Sequence, residues 1–202
     1  MGRDVNSANG QEDLVMKNKI INSSWDFKGA DTKYLTHGFH SYPAMMIPQI
    51  AEKLIDKFLK GGKVILDPFC GSGTVLVEAM IKNKKAYGID INPLTKLIAT
   101  TKSTPINPKL LEDEIRNLLD DIEKDYDNFK KWGKKIKLPE FFNIKFWFKK
   151  SVIEKLTIIQ NNIEKVKEKE NVYKFFLTIF SETVRQVSNR RSGEFKLYRR
   201  TE

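Results

Sequence analysis

Apolar residues fall along this chain in two rhythms. Val64-Ile65-Leu66 is a continuous run closed by Asp67, and Ala86-Tyr87-Gly88-Ile89 is a second one closed by Asp90. Runs without polar alternation read as parallel strands, and the first is expected to be covered on both faces. Elsewhere the apolar positions recur every three or four residues. Ile47, Ile50, Ala51, Leu54, Ile55 and Phe58 make one helical stripe, entered at Pro48 and left through Lys60-Gly61-Gly62. Val77 and Met80 continue a helix directly after the first strand, with Gly71-Ser72-Gly73 as the turn between them.

The same alternation repeats downstream. Asn92-Pro93 places a capping residue and a favoured first helical residue straight after Asp90, and Leu94, Leu97, Ile98 and Thr101 carry that helix. Ser103-Thr104-Pro105-Ile106 is a candidate third strand. Asn107-Pro108 opens another helix on Leu111, Ile115, Leu118, Leu119 and Ile122, with Glu112, Asp113 and Glu114 near its positive end. Ser151-x-x-Glu154 reads as a capping box for a helix running to about Lys169, and a final helix is expected over 171–187. The expected fold class is α/β: a mobile arm over 1–16, an α/β half-domain over 17–130 and a helical, basic extension over 131–202.

Charge adds a partner class. Thirty-six basic against twenty-six acidic residues leave a net +10 and a pI near 9.5, the electrostatic footprint of a nucleic-acid partner, although a lysine-rich solvated surface gives the same sum. Five of the seven arginines stand at 185, 190, 191, 199 and 200. Arg185, Arg190 and Arg191 are the candidate contacts to a DNA backbone, because guanidinium forks match phosphate oxygens, and a cation-dressed helix C-terminus is the bland alternative. Aromatics interleaved with lysines at Trp132, Phe141, Phe142, Phe146, Trp147 and Phe148 read first as anchors of a connecting segment. The single cysteine excludes an internal disulfide framework, and no apolar run is long enough to span a membrane. Nothing at the first residues resembles a signal peptide, so a cytoplasmic location is expected.

The glycine turn narrows the chemistry. Gly71 and Gly73 are followed by Thr74-Val75-Leu76, so the third glycine of a dinucleotide loop and the Gly-Lys-Ser/Thr of a phosphate loop are both missing. Asp67 and Asp90 instead close neighbouring strands, the second about twenty residues after the loop, the spacing at which a carboxylate meets a ribose diol. Two carboxylates facing a nucleoside without phosphate fit a cationic ligand. S-adenosylmethionine carries an ammonium, a sulfonium and a free diol. His37 and His40 invite a metal reading, but no further Cys/His cluster supports it.

Asp67-Pro68-Phe69-Cys70-Gly71-Ser72-Gly73-Thr74 and Gly88-Ile89-Asp90-Ile91-Asn92-Pro93 resemble the first two motifs of S-adenosylmethionine-dependent amino-methyltransferases, most closely those that modify cytosine N4 or adenine N6 in DNA. His40-Ser41-Tyr42-Pro43-Ala44-Met45-Met46-Ile47-Pro48 is similar to the segment that precedes the cofactor loop in that family. Phe146-Trp147-Phe148 and residues 181–198 resemble a helical stretch before its catalytic motif, so the likeness runs over roughly residues 25 to 200. It implies a Rossmann-like methyltransferase fold with an incomplete parallel sheet, and S-adenosyl-L-methionine as cofactor. His40, Tyr42, Pro43, Asp67, Pro68, Phe69, Gly71, Gly73, Thr74, Asp90 and Ile91 would then form its binding site. Asp67 would accept from the ammonium, Phe69 would pack on the methionyl chain, and Cys70 would be a small buried filler.

The family's second motif, an Asp, Asn or Ser followed by Pro-Pro and an aromatic, has no match here. The seven prolines stand at 43, 48, 68, 93, 105, 108 and 139. Without the strands that follow that motif, the first strand would keep an uncovered edge and apolar flank. The expectation is therefore a cofactor-binding subunit or fragment of a restriction-modification DNA methyltransferase, with cytosine N4 preferred over adenine N6. It would be inactive without a second polypeptide that brings the catalytic motif; truncation of a longer protein is the competing explanation. An RNA guanine-N2 methyltransferase fragment and a non-catalytic interaction protein with the same fold are the alternatives.

Overall fold

The computed structural model describes residues 25–43, 45–62, 64–133, 135–191 and 197–200. The expected arm over 1–16 lies outside them. The chain divides into two compact units, Met1–Asp31 and Thr32–Glu202. In the first, the described residues make a turn closed by the Ala30 N–H on the Phe27 carbonyl at 3.0 Å.

The second unit opens with a 3-10 turn at Leu35–Gly38 and continues through α1 (Pro48–Phe58), β1 (Val64–Asp67), α2 (Thr74–Ile81), β2 (Lys85–Gly88) and α3 (Pro93–Ser103). Then come α4 (Pro108–Trp132), the single turn α5 (Ile144–Trp147), α6 (Lys150–Glu164) and α7 (Glu170–Val187). The strands pair in parallel, Val64 opposite Lys85 through Asp67 opposite Gly88. α1 packs on α2, α2 on β2 and α3, and α3 on α7. The boundaries follow local chemistry. Pro48, Pro93 and Pro108 each open a helix, where a missing N–H costs nothing. Asn92 Oδ1 accepts the Leu94 N–H at 2.9 Å and Asn107 Oδ1 accepts the Leu110 N–H at 3.1 Å, so both act as N-caps.

Helices α4, α6 and α7 share one apolar core around Ile163, Val172 and Phe176, joined by Ile115, Leu118 and Phe180. Burying side chains of that size stabilises by roughly 1.5–3 kcal/mol each. The Thr101 and Thr178 hydroxyls meet at 2.9 Å and tie α3 to α7. The helical region is thereby held against the α/β part. Among the described residues no helix is long and apolar enough to cross a membrane.

Four expectations need correction. The candidate strand over 103–106 does not form: Ser103 is the last residue of α3, and residues 104–107 pair with no strand among the described residues. Ser151 lies inside α6, which starts one residue earlier from Lys149 with no side-chain cap, so the capping box does not form. That helix also ends at Glu164, and the turn over 165–169 separates it from α7. Finally, β1 is covered on one face only. Leu66 is 62% exposed and Tyr87, its partner across the pair, 52%, with Val64 exposed beside them. An apolar sheet face and the second edge of β1 are open among the described residues.

Candidate functional site

β1 and β2 end side by side, and the ladder continues past both ends. The Ile89 N–H reaches the Asp67 carbonyl at 2.9 Å and the Cys70 N–H reaches the Ile89 carbonyl at 3.0 Å. This fixes the two carboxylates at the same rim of the sheet. Asp67 Oδ1 accepts the Phe69 N–H at 3.1 Å. Asp90 is more heavily engaged: Oδ1 accepts the Asn92 N–H at 2.8 Å and Oδ2 the Gly71 N–H at 3.0 Å. Donation from Asn92 first, then from Thr95 and Gly71, holds the Asp90 carboxyl below the usual carboxylate range. An ionised Asp90 therefore pins the glycine loop to the start of α3.

The two glycines differ in kind. Gly71 has φ +48°, and a Cβ there would meet open space, so the backbone leaves room for a ligand above the loop. Gly73 has φ +83°, and a Cβ there would stand 2.8 Å from the Ala99 Cβ and 2.9 Å from its Cα. That glycine lets α2 and α3 close on each other. Cys70 is buried beside Gly88; burial, with Asp67 and Asp90 nearby, pushes its thiol up, as suits a packing residue.

Phe69 is 89% exposed, and Pro68 and Ile91 are exposed with it around the loop. The Tyr42 hydroxyl accepts from Asn92 Nδ2 at 3.2 Å, which ties the segment before α1 to the strand rim, with Pro43 exposed next to it. His40 bonds to neither Asp67 nor Asp90. Its Nδ1 donates to the Ser41 carbonyl at 3.0 Å and its Nε2 accepts from the Ser181 hydroxyl at 3.2 Å, while burial pushes its pKa down.

His40 instead borders a cavity of about 170 Å³, together with His37, Ser41, Met46, Lys102 and Thr74, the first residue of α2. Glu78 is buried nearby; Tyr34 donates its hydroxyl to Glu78 Oε1, and His37 Nε2 lies 2.9 Å from the same oxygen. Burial outweighs the pull of Glu78 and lowers the His37 pKa, with the Lys102 charge adding to the effect. Lys102 is 1% exposed, and burial brings its pKa down to about 8. Neither Glu78 nor Lys102 was among the sequence candidates. The signal was present: Thr95, Ile98, Ala99 and Lys102 share one helical stripe, and Glu78 stands one turn after Thr74.

Of the three arginine candidates, Arg185 turns its fork on Glu182, with Nε to Oε2 and Nη2 to Oε1 both at 3.0 Å. Burial pulls Glu182 upward, but bonds from Arg185, Gln186 and the Ser41 N–H outweigh it and leave the carboxyl low. Arg190 and Arg199 face each other across an antiparallel bridge, and the Arg199 guanidinium lies 4.9 Å over the Phe146 ring. Arg191 and Arg200 are exposed beside them. Trp132, Phe141, Phe142 and Phe146 are exposed, so the aromatics of this stretch are less buried than their anchoring role implied.

Residues 3–101 match the DNA methylase family of N6/N4 type. Type II methyltransferase M.MvaI of Kocuria varians is 45% identical over 177 residues, which is 86% of this chain and 39% of that protein. Type II methyltransferase M.MjaII of Methanocaldococcus jannaschii is 44% identical over 71 residues, 35% of the chain and 13% of that protein. The tRNA (guanine(10)-N2)-dimethyltransferase of Methanothermobacter thermautotrophicus is 40% identical over 52 residues, 25% of the chain and 16% of that protein. The chain thus spans about two fifths or less of these relatives. No solved structure matches it.

Proposed function

The chain belongs, through residues 3–101, to the DNA methylase family of amino-methyltransferases, and from that premise we propose that its strand rim binds S-adenosyl-L-methionine for methylation of an exocyclic amine in double-stranded DNA. The carrying observation is the pair of carboxylates at the ends of β1 and β2 around a glycine whose Cβ position is open. The residues present fit the cofactor. Asp90 keeps its charge because backbone donors surround it, and Asp67 has one oxygen uncommitted among the described residues.

When bound, the cofactor supplies a methyl group made electrophilic by its sulfonium. This chain's residues hold and orient it. Asp67 accepts from the ammonium, directly or through water; Asp90 fixes the loop and offers negative charge at the ribose side. Gly71 and Gly73 shape the cradle, Thr74 starts the helix behind it, and Pro68, Phe69 and Ile91 supply apolar walls. Tyr42 and Pro43 close one side, with His40 and the cavity beyond toward the methionyl end. Arg190 and Arg191 meet the DNA backbone, and Arg185 orders Glu182 against the segment at Ser41.

Cytosine N4 is the preferred acceptor, adenine N6 the other, within a cytoplasmic restriction-modification system. The open face at Val64, Leu66 and Tyr87 supports a further protein segment that completes the sheet and brings the group orienting the amine. A second methyltransferase subunit is the form we favour. Labelled cofactor supplied with duplex DNA or tRNA, to the chain with and without that segment, tests the reading. DNA labelling that needs the segment and is lost in Asp90→Ala is expected. Labelling of RNA alone would favour the tRNA-type alternative suggested by the shorter match, and absence of cofactor binding throughout would favour a non-catalytic interaction protein.

A further inference from the structure

The cavity beside the start of α2 contains a cation that the fold leaves without a partner. Lys102 is 1% exposed, its Nζ makes no hydrogen bond, and its side chain forms part of the cavity wall. Burying an ammonium this way costs several kcal/mol unless a counter-charge meets it. Two carboxylates that bond to cavity-wall residues are engaged elsewhere. Glu78 is held by Tyr34 and His37, and Glu182 by Arg185 and the Ser41 N–H. The other titratable groups on its wall, Lys33, His37 and His40, are neutral or cationic in every protonation state, so none supplies an anion. A second polar atom in the same wall, His37 Nδ1, also has no protein partner.

The cavity's other border is the N-terminus of α2, at Thr74, directly after the glycine loop. The positive end of that helix and the Lys102 ammonium therefore act on one small volume. A volume of about 170 Å³ holds a group the size of an amino-acid head and not a nucleoside. We propose that Lys102 binds the α-carboxylate of the methyl donor's amino-acid end, anchoring it in the cavity bordered by residues from 32–41 and 45–48 and by Thr74 of α2. This rests on the cofactor reading above and deepens it. The lysine is a binding residue, set on the buried stripe of α3, and the carboxylate is the partner its ammonium lacks within the protein.

Calorimetry with two nucleosides tests it, using S-adenosylhomocysteine and its decarboxylated analogue, which keeps the amine and lacks the carboxylate. Both are titrated into the wild-type protein, together with its completing segment where binding requires it, and into Lys102→Met. A charge-assisted hydrogen bond corresponds to about tenfold to a hundredfold in affinity. The wild type is expected to prefer S-adenosylhomocysteine by that factor, and Lys102→Met to bind both nucleosides equally, at the level of the decarboxylated one. Lys102→Gln, smaller and still polar, serves as a second variant, with circular dichroism checking that each folds. An affinity gap that survives in both variants overturns the inference while leaving the cofactor reading intact. Equal loss for both nucleosides in a folded variant also overturns it, since the lysine would then be structural. If the wild type binds neither nucleoside, the cofactor reading falls and takes this inference with it.

Discussion

Replacing Gly73 by alanine separates the packing role of one glycine from the ligand role of the other. A methyl group at Gly73 would sit 2.8 Å from the Ala99 Cβ and 2.9 Å from its Cα, and the residue keeps a φ of +83°. Overpacking of this kind costs about 1–3 kcal/mol, and the left-handed backbone adds about 1–2 kcal/mol for a residue with a Cβ. Together these predict a loss of roughly 2–5 kcal/mol, a large fraction of a small domain's stability. Gly71→Ala carries only the backbone cost, about 1–2 kcal/mol, because its Cβ would meet nothing. Urea unfolding followed by circular dichroism measures both, with the slope checked for constancy. Ala99→Gly in the Gly73→Ala background removes the Cβ contact and leaves the one with the Cα, so it should restore part of the loss. Gly73→Ala costing no more than Gly71→Ala would refute the assignment of Gly73 to the contact between α2 and α3.

Lys102 makes stability depend on alkaline pH. Its folded pKa of about 8 lies below the ordinary 10.5, so its contribution is least favourable below pH 8 and recovers as pH rises to 10.5. From that drop Lys102→Met should be more stable than wild type by up to ~3 kcal/mol at pH 7, an advantage that fades toward pH 10.5 in urea titrations; a pH-independent difference would contradict it. His37 and His40, both held below the ordinary 6.5, contribute stability that is present above that value and lost as pH falls through their folded pKa values. Acid titration of His37→Gln should accordingly show a shallower stability loss below pH 6.5 than wild type. Cys70, buried with a raised pKa, should react with an aromatic disulfide reagent at neutral pH only upon unfolding; rapid native labelling would show an open thiol. Leu66→Lys, on the exposed sheet face, should weaken binding of the completing segment in sedimentation while leaving the unfolding midpoint of the chain alone nearly unchanged; unaltered binding would contradict the assignment of that face.

What the sequence made legible was local. The β1–loop–α2 unit follows from an unbroken apolar run and two glycines, and Asn92-Pro93 and Asn107-Pro108 carry their helix starts in adjacent residues. The capping signal at Ser151 was equally local and still failed, because α6 begins at Lys150, two residues too early for the Ser151 hydroxyl to cap it. Residues 103–106 have a strand-like composition, but Ser103 closes α3 and a strand needs a partner, which none of the described residues supplies. The roles of Asp90 and Gly73 were the least accessible. Spacing pointed to a ribose for the one and a ligand for the other, whereas the contacts to Gly71, Asn92 and Ala99 arise only when β1, β2 and α3 assemble. Glu78 and Lys102 were passed over for a related reason: charge on a helix reads as solvent-facing unless the stripe on which it lies is traced through the buried neighbours.

Amide chemical shifts offer the most direct test of the strand-rim cradle. S-adenosylhomocysteine titrated into the isotope-labelled protein should move Gly71, Ser72 and Ile91 saturably, leave the α4–α6 contact unmoved, and lose its effect in Asp90→Ala. Shifts confined to other surfaces, or a saturable response at the loop that survives in Asp90→Ala, would contradict the account.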